Sequence, residues 1–235
     1  MTIPAIHPYA LPDAAYLPAN RVPWHPEPGR CALLICDMQQ YFVDFFQPGQ
    51  KPLAGMLRHI SRLAARCRLL GIPVIYAVQP GAQQPRERGL LGHFWGQGLS
   101  AAPPAGADIV EALSPEPGDT LIDKRRYSAF HDSSLLHELR RQGRDQLIVC
   151  GLYAHIGCLA TALDAFMHDV QPFLVADAMA DFSEADHRMA LAYAARRCAA
   201  VLSTGELLAR LDAWPPGQAF SRYPARDSSE RSPSH

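Results

Sequence analysis

Leu147-Ile-Val-Cys-Gly-Leu-Tyr-Ala-His-Ile-Gly-Cys158 is the stretch whose reading decides the fold. Its apolar run from Leu147 to Cys150 ends at Gly151, and a helix-compatible segment resumes near Ile156. A parallel strand that runs into a turn and a helix has this form. Open α/β sheets bind ligands at the carboxyl ends of their strands, where helix N-termini offer unpaired N–H groups to an oxygen or anion. The helix opens with Gly157, which supplies space and no side chain. Two readings stand at this point: a ligand-binding turn, or a packing glycine of the kind that strand-to-helix turns often need.

Outward from this stretch the same alternation repeats. Upstream, Cys31-Ala-Leu-Leu-Ile-Cys36 is apolar without alternation, as in a strand covered on both faces, and ends at Asp37-Met38-Gln39. Leu53, Met56, Leu57, Ile60, Leu63, Ala64, Cys67 and Leu70 recur at helical spacing up to Gly71. Pro73 to Val78 is the next strand. A loop from Gln79 to about Ala107 follows, carrying Arg86, Arg88, Phe94 and Trp95, and loops of that length in a compact domain are often functional. Thr120 to Asp123 reads as a third strand ending at Lys124, and a helix runs from about Ser133 to Gln142. Downstream come a strand over Pro172 to Ala176, a helix capped by Ser183, a strand over Ala199 to Ser203 and a closing helix from Thr204 to Leu211. The alternation predicts an α/β fold: a single doubly wound, six-stranded parallel sheet with helices on both faces, Rossmann-like, with right-handed crossovers. The expected organisation is an extended, proline-rich arm over residues 1–30, anchored by Tyr9, Leu11, Tyr16, Leu17 and Trp24, a domain over 31–212, and a disordered tail over 213–235.

Composition narrows the function. With 235 residues, 48% hydrophobic and 19% charged, the chain can bury a full core. A formal net charge of -1 argues against nucleic acid or an anionic membrane as the main partner. The start, Met1-Thr-Ile-Pro-Ala-Ile-His-Pro, lacks the basic and then apolar pattern of a signal peptide, and no later run is long enough to span a bilayer. Six cysteines without CxxC spacing, mostly inside apolar patterns, point to reduced, buried thiols in a cytoplasmic protein rather than disulfides or a zinc site.

Three polar positions fall at strand ends: Asp37, Lys124 and the turn from Gly151 to Cys158. Such groups can face one crevice, although most carboxylates and lysines in a chain are merely solvated. Asp37-Met-Gln-Gln-Tyr-Phe42, Gln79-Pro, Lys124-Arg-Arg-Tyr-Ser-Ala-Phe130, Gly151-Leu-Tyr-Ala-His-Ile-Gly-Cys158 and Val175-Ala-Asp-Ala-Met-Ala-Asp-Phe182 together resemble the isochorismatase family, in register from about residue 9 to 211. Cysteine hydrolases of the wider superfamily, such as nicotinamidases, use an Asp, Lys and Cys triad with the cysteine six residues after the glycine that ends strand four. That position is Gly157 here, and isochorismatases and the similar phenazine-pathway hydrolases also lack the cysteine. Neighbouring helical residues point about 100° apart, so if position 157 faces the crevice, Cys158 faces the core. Nicotinamidases also carry a metal-binding Asp and His cluster after strand two. Here that segment is Ala77-Val-Gln-Pro-Gly81, without such ligands.

The resemblance implies hydrolysis of a vinyl ether, isochorismate or its 2-amino-2-deoxy analogue, in siderophore or phenazine biosynthesis, with no metal and no cofactor. It implies Asp37 as the proton donor and Lys124 mainly as a partner of substrate oxygens. Gln79, Arg88, Tyr153 and the N–H groups at Gly157 match the family's substrate contacts, and Phe42 and Trp95 are apolar walls or core packing. Arg86 reads as solvated and His155 as a buried structural histidine. The dianionic substrate, a homodimer and a carrier on a separate protein complete the expected partners. Relatives often have His where this chain has Cys36 and Trp where it has Arg125, and the second change adds charge near the mouth. Two rival readings remain: a cysteine amidohydrolase using Cys158, and a catalytically dead member retained for binding.

Overall fold

Every position of strand β1 (Cys31–Cys36) is buried, and its side chains divide by parity. Cys31, Leu33 and Ile35 enter one apolar core, whereas Ala32, Leu34 and Cys36 enter a second on the opposite face. A strand covered on both sides has that two-residue period, so its sequence carries no polar alternation. The structure, a computed structural model, describes residues 3–214. After β1 come α1 (Gln40–Val43), α2 (Leu53–Leu69), β2 (Val74–Val78), α3 (Pro85–Arg88), α4 (Leu91–Trp95), β3 (Thr120–Asp123) and α5 (Leu135–Arg141). The second half runs β4 (Gln146–Gly151), a π-helical turn (Ala154–Cys158), α6 (Leu159–Met167), β5 (Gln171–Met179), α7 (Glu184–Arg197), β6 (Ala200–Leu202) and α8 (Thr204–Asp212).

All six strands are parallel, in the order β3-β2-β1-β4-β5-β6. The chain winds outward from β1 in one direction and from β4 in the other. The switch point therefore lies between β1 and β4, which pair in register from Cys31 with Gln146 to Cys36 with Gly151. In such sheets the crevice opens beyond the strand ends at that point. Helices α2 and α8 place Met56, Ile60, Leu207 and Leu211 in the first core; α5, α6 and α7 place Leu135, Ala162 and Leu191 in the second. Among the described residues, no helix is long and apolar enough to cross a membrane.

Several elements differ from the sequence expectation, among them the short unexpected helix α1 and the following. Strand β5 continues past Ala176 to Met179 because Asp177 is used inside it: its Oδ1 accepts from both the N–H and the hydroxyl of Thr204, 2.7 Å each, and so fixes the start of α8. The long loop after β2 contains α3 and α4. Pro85 at the first turn and a Gln84/Glu87 capping box start α3, and Gly89 at φ 55° ends it. The helix after β4 begins as a π-helical turn at Ala154, two residues earlier than expected.

The N-terminal segment straps the domain. Ile6 bridges to Phe46, Leu11 packs on Gly55, and the Asn20 amide makes two hydrogen bonds, 2.9 and 2.7 Å, with the backbone of Val201 on edge strand β6. Tyr9 and Trp24 pack on the first core and Leu17 on the second. Nearly all of the tail expected to be disordered, residues 215–235, lies outside the described residues.

Candidate active site

Asp37 directly follows β1 with φ 51°, in the left-handed region that a residue other than glycine enters at some cost and mostly at functional turns. Its N–H donates to the carbonyl of Ala77 at 2.9 Å, tying the turn to β2. The side chain is buried, and its two oxygens differ. Oδ2 accepts from Lys124 Nζ at 2.5 Å, while Oδ1 has no hydrogen-bond partner among the described residues. Burial raises the pKa of Asp37, and the attraction of Lys124 offsets this only in part. Lys124, one residue beyond β3 and equally buried, stays protonated: burial opposes its charge, but Asp37 overcomes it and raises its pKa. The sequence reading gives Lys124 mainly to substrate oxygens, with charge balance toward Asp37 secondary. Its ammonium is bonded to Asp37 itself.

Gly157 supplies the room for this pair. A Cβ there would come within 3.1 Å of the Leu152 carbonyl, 3.3 Å of Lys124 Nζ and 3.4 Å of Asp37 Oδ2. The next side chain, Cys158, points into the second core and is fully buried. A hydrogen bond with Cys36, and then burial, push its thiol well above the usual range. The Tyr153 hydroxyl donates to the Phe42 carbonyl at 2.8 Å, and its ring packs edge-on against Phe42 and Phe182.

Across the cleft, Arg88 ends α3 and is only 5% exposed. Its Nε donates to the Gly96 carbonyl at 2.5 Å, and Nη1 lies 3.5 Å from Gln79 Oε1 and 3.4 Å from Gln83 Oε1. It pairs with no carboxylate among the described residues. The Gln79 backbone is held on both sides by the Gln39 amide, at 2.7 and 2.9 Å. Trp95, half-buried, donates through Nε1 to the Tyr127 hydroxyl at 2.9 Å.

The eight residues singled out from sequence, Asp37, Lys124, Gln79, Arg88, Tyr153, Gly157, Phe42 and Trp95, all line one cleft of about 550 Å³ at the β1/β4 switch point. Phe42 is wall and core at once, since it is 8% exposed and part of the first core. Ile3, Tyr41, Leu91, Arg126, Tyr127, Ile156 and Phe182 also line it and were not singled out. Tyr41, Arg126, Tyr127, Ile156 and Phe182 lie within the quoted motifs, which was the available signal; Ile3, in an aperiodic arm, gave none. Arg86 is exposed, as expected. His155 is only half-buried and does not line the cleft; its Nδ1 sits 2.5 Å from Asp181 Oδ1, and it is corrected from a buried to a partly exposed, ion-paired residue. Arg125 turns away to Asp123 at 3.0 Å. Among the described residues no three His, Cys, Asp or Glu side chains gather as a metal cluster.

Residues 31–206 match the sequence model of the isochorismatase domain. The chain belongs to the isochorismatase family. It is 51% identical to an isochorismatase of Bacillus subtilis (strain 168), over 90% of this chain and 67% of that protein. It is 50% identical to the phenazine biosynthesis protein PhzD of Pseudomonas fluorescens, over 88% of this chain and 98% of that one. Among solved structures, a cysteine hydrolase from Pseudomonas syringae pv. phaseolicola 1448A superposes with a TM-score of 0.75 at 26% identity, covering 84% of this chain and 98% of that one. The six-stranded parallel sheet with its helices matches the isochorismatase family's fold.

Proposed function

We propose that this chain hydrolyses the vinyl ether of isochorismate, releasing pyruvate and 2,3-dihydro-2,3-dihydroxybenzoate, with Asp37 as general acid and no covalent intermediate. The chain is a hydrolase of the isochorismatase family, and the observation that carries the mechanism is the asymmetry of Asp37. One oxygen is held by Lys124, the other is unpartnered in the cleft, and burial favours the protonated form. A proton on Oδ1 passes to the terminal methylene carbon of the enol ether. The double-bond electrons form the new C–H bond, and the ether oxygen shares its lone pair with the adjoining carbon as an oxocarbenium ion. Water adds to that carbon and gives a proton back to the Asp37 carboxylate. The resulting hemiketal breaks its bond to the oxygen on the ring, which leaves as the alcohol with the proton that the hemiketal hydroxyl loses, and pyruvate remains. Lys124 stabilises the Asp37 carboxylate once its proton has gone.

The substrate is a dianion, and Arg88, buried without a carboxylate partner, is suited to one of its carboxylates. Gln79, Tyr153 and the backbone at Gly157 complete the contacts, with Phe42 and Trp95 as walls. The cysteine-hydrolase reading is disfavoured by Gly157 beside the Asp37–Lys124 pair and by the burial of Cys158 in the core. The relationship to PhzD keeps 2-amino-2-deoxyisochorismate as the alternative substrate. A homodimer, a carrier on a separate protein and a cytoplasmic location belong to this proposal and are supported by the family resemblance. The deciding experiment incubates the purified protein with isochorismate and, separately, with the 2-amino analogue, following pyruvate. Faster release from isochorismate supports the reading, faster release from the analogue selects the alternative, and release from neither rejects both.

A further inference from the structure

Resting on that reading, we infer that Arg126 is a second carboxylate receptor of the cleft and takes the ring carboxylate of the substrate. The charged side chains lining the cleft are Asp37, Lys124, Arg88 and Arg126. Lys124 is bonded to Asp37, while Arg88 and Arg126 form no ion pair among the described residues. Two uncompensated guanidinium groups match the two carboxylates of a dianion.

Both guanidinium groups occupy space left by glycines in the left-handed region. A Cβ on Gly98 (φ 52°) would collide with Arg88 Nη2, and one on Gly89 (φ 55°) would come within 3.1 Å of Arg126 Nη2. Arg126 Nη1 donates to the carbonyls of Glu87 and Arg125, 2.8 Å each, which holds the group in place. Those bonds use Nη1 and leave Nε and Nη2 without a hydrogen-bond acceptor among the described residues, the paired donors that a carboxylate accepts side by side.

Depth decides which carboxylate goes where. The vinyl carbon must reach buried Asp37, and the carboxylate of the same three-carbon unit is two bonds from it. That carboxylate belongs with Arg88, 5% exposed, whereas Arg126 is half-buried beside exposed Tyr127 at the mouth, where the ring lies.

The test uses calorimetric titration of the whole protein with 2,3-dihydroxybenzoate and with its carboxamide. Wild type should bind the acid at least tenfold more tightly than the amide, and Arg126→Ala should reduce that preference to within about twofold, with Arg126→Lys in between. A role of Arg126 that only braces α3 would weaken both ligands alike and leave the preference intact, which would overturn the inference. Equal binding of acid and amide by wild type, or no binding of the acid, would overturn it too. On isochorismate, Arg126→Ala should lower kcat/KM by about 10- to 150-fold, mostly through KM. Because the titration needs no turnover, it stands even if pyruvate is never released, so the failure of this assignment is distinct from the failure of the proposed reaction.

Discussion

A carboxyl group stripped of water holds its proton to higher pH, and under the proposed mechanism Asp37 passes that proton to a substrate carbon. Asp37→Asn keeps the shape and removes the proton donor, so pyruvate release should fall by at least ~10²-fold while substrate binding persists. In wild type, kcat/KM should be level at acid pH and decline as pH rises through the raised pKa of Asp37, because only the protonated form donates. An Asn variant within a few-fold of wild type, or one that keeps the alkaline decline unchanged, would remove Asp37 from that role. Cys158→Ala should retain most of the activity, since the thiol lies in the second core, at a stability cost on the order of 1 kcal/mol. A folded but inactive Cys158→Ala would restore the cysteine hydrolase. Asp37, Lys124 and Gly157 were legible from sequence because they stand where strands end. Arg126 was not, since a loop arginine three residues beyond a strand looks like any solvated cation until Gly89 is seen to make room for it.

At the scale of elements, the turn after β4 depends on Gly151 having no side chain. Its φ is 104°, and a Cβ would stand 2.2 Å from the backbone oxygen of Cys36 on the neighbouring strand. Gly151→Ala should therefore cost on the order of 3 kcal/mol or more, because the colliding atom is backbone in the middle of the sheet and cannot swing aside. Urea unfolding measures this, and a loss under 1 kcal/mol would show that the β1/β4 junction can spread. Strands β1 and β4 were readable because burial on both faces writes an unbroken apolar run. Helices α3 and α4 were not, since four or five residues are too few for a period to show. The extension of β5 was hidden for a different reason: Asp177 looks like a strand terminator until its partner Thr204, 27 residues further on, is brought beside it.

At the scale of the whole molecule, the N-terminal strap is tied into the site's support through a chain of polar groups. The Tyr9 hydroxyl accepts from the Asp181 N–H at 2.7 Å, which leaves its proton for His187 Nδ1 at 3.1 Å, while Asp181 also receives the His155 N–H at 2.6 Å. Burial depresses the pKa of His187 to about 4. An unfolded chain protonates this histidine below about pH 6.5, the folded one only below about 4, so acid favours unfolding across that window. Stability should fall by on the order of 3 kcal/mol between those limits, and His187→Gln should show a shallower pH dependence there by about that amount. Parallel slopes for the two proteins would mean that His187 charges within the fold. His155 acts in the opposite sense. Burial opposes its charge but Asp181 raises its pKa, so its contribution is complete below about pH 6.5 and is lost as pH rises through the raised value. The six cysteines, unpaired and all buried, give this architecture an internal stopwatch. A colourless thiol reagent that yields a coloured product should find the native molecule silent, and each increment of colour would time one breathing event. Cys198, 3% exposed at the end of α7, should report first; Cys36 and Cys158, fully covered beneath the cleft, should report only when the sheet itself parts.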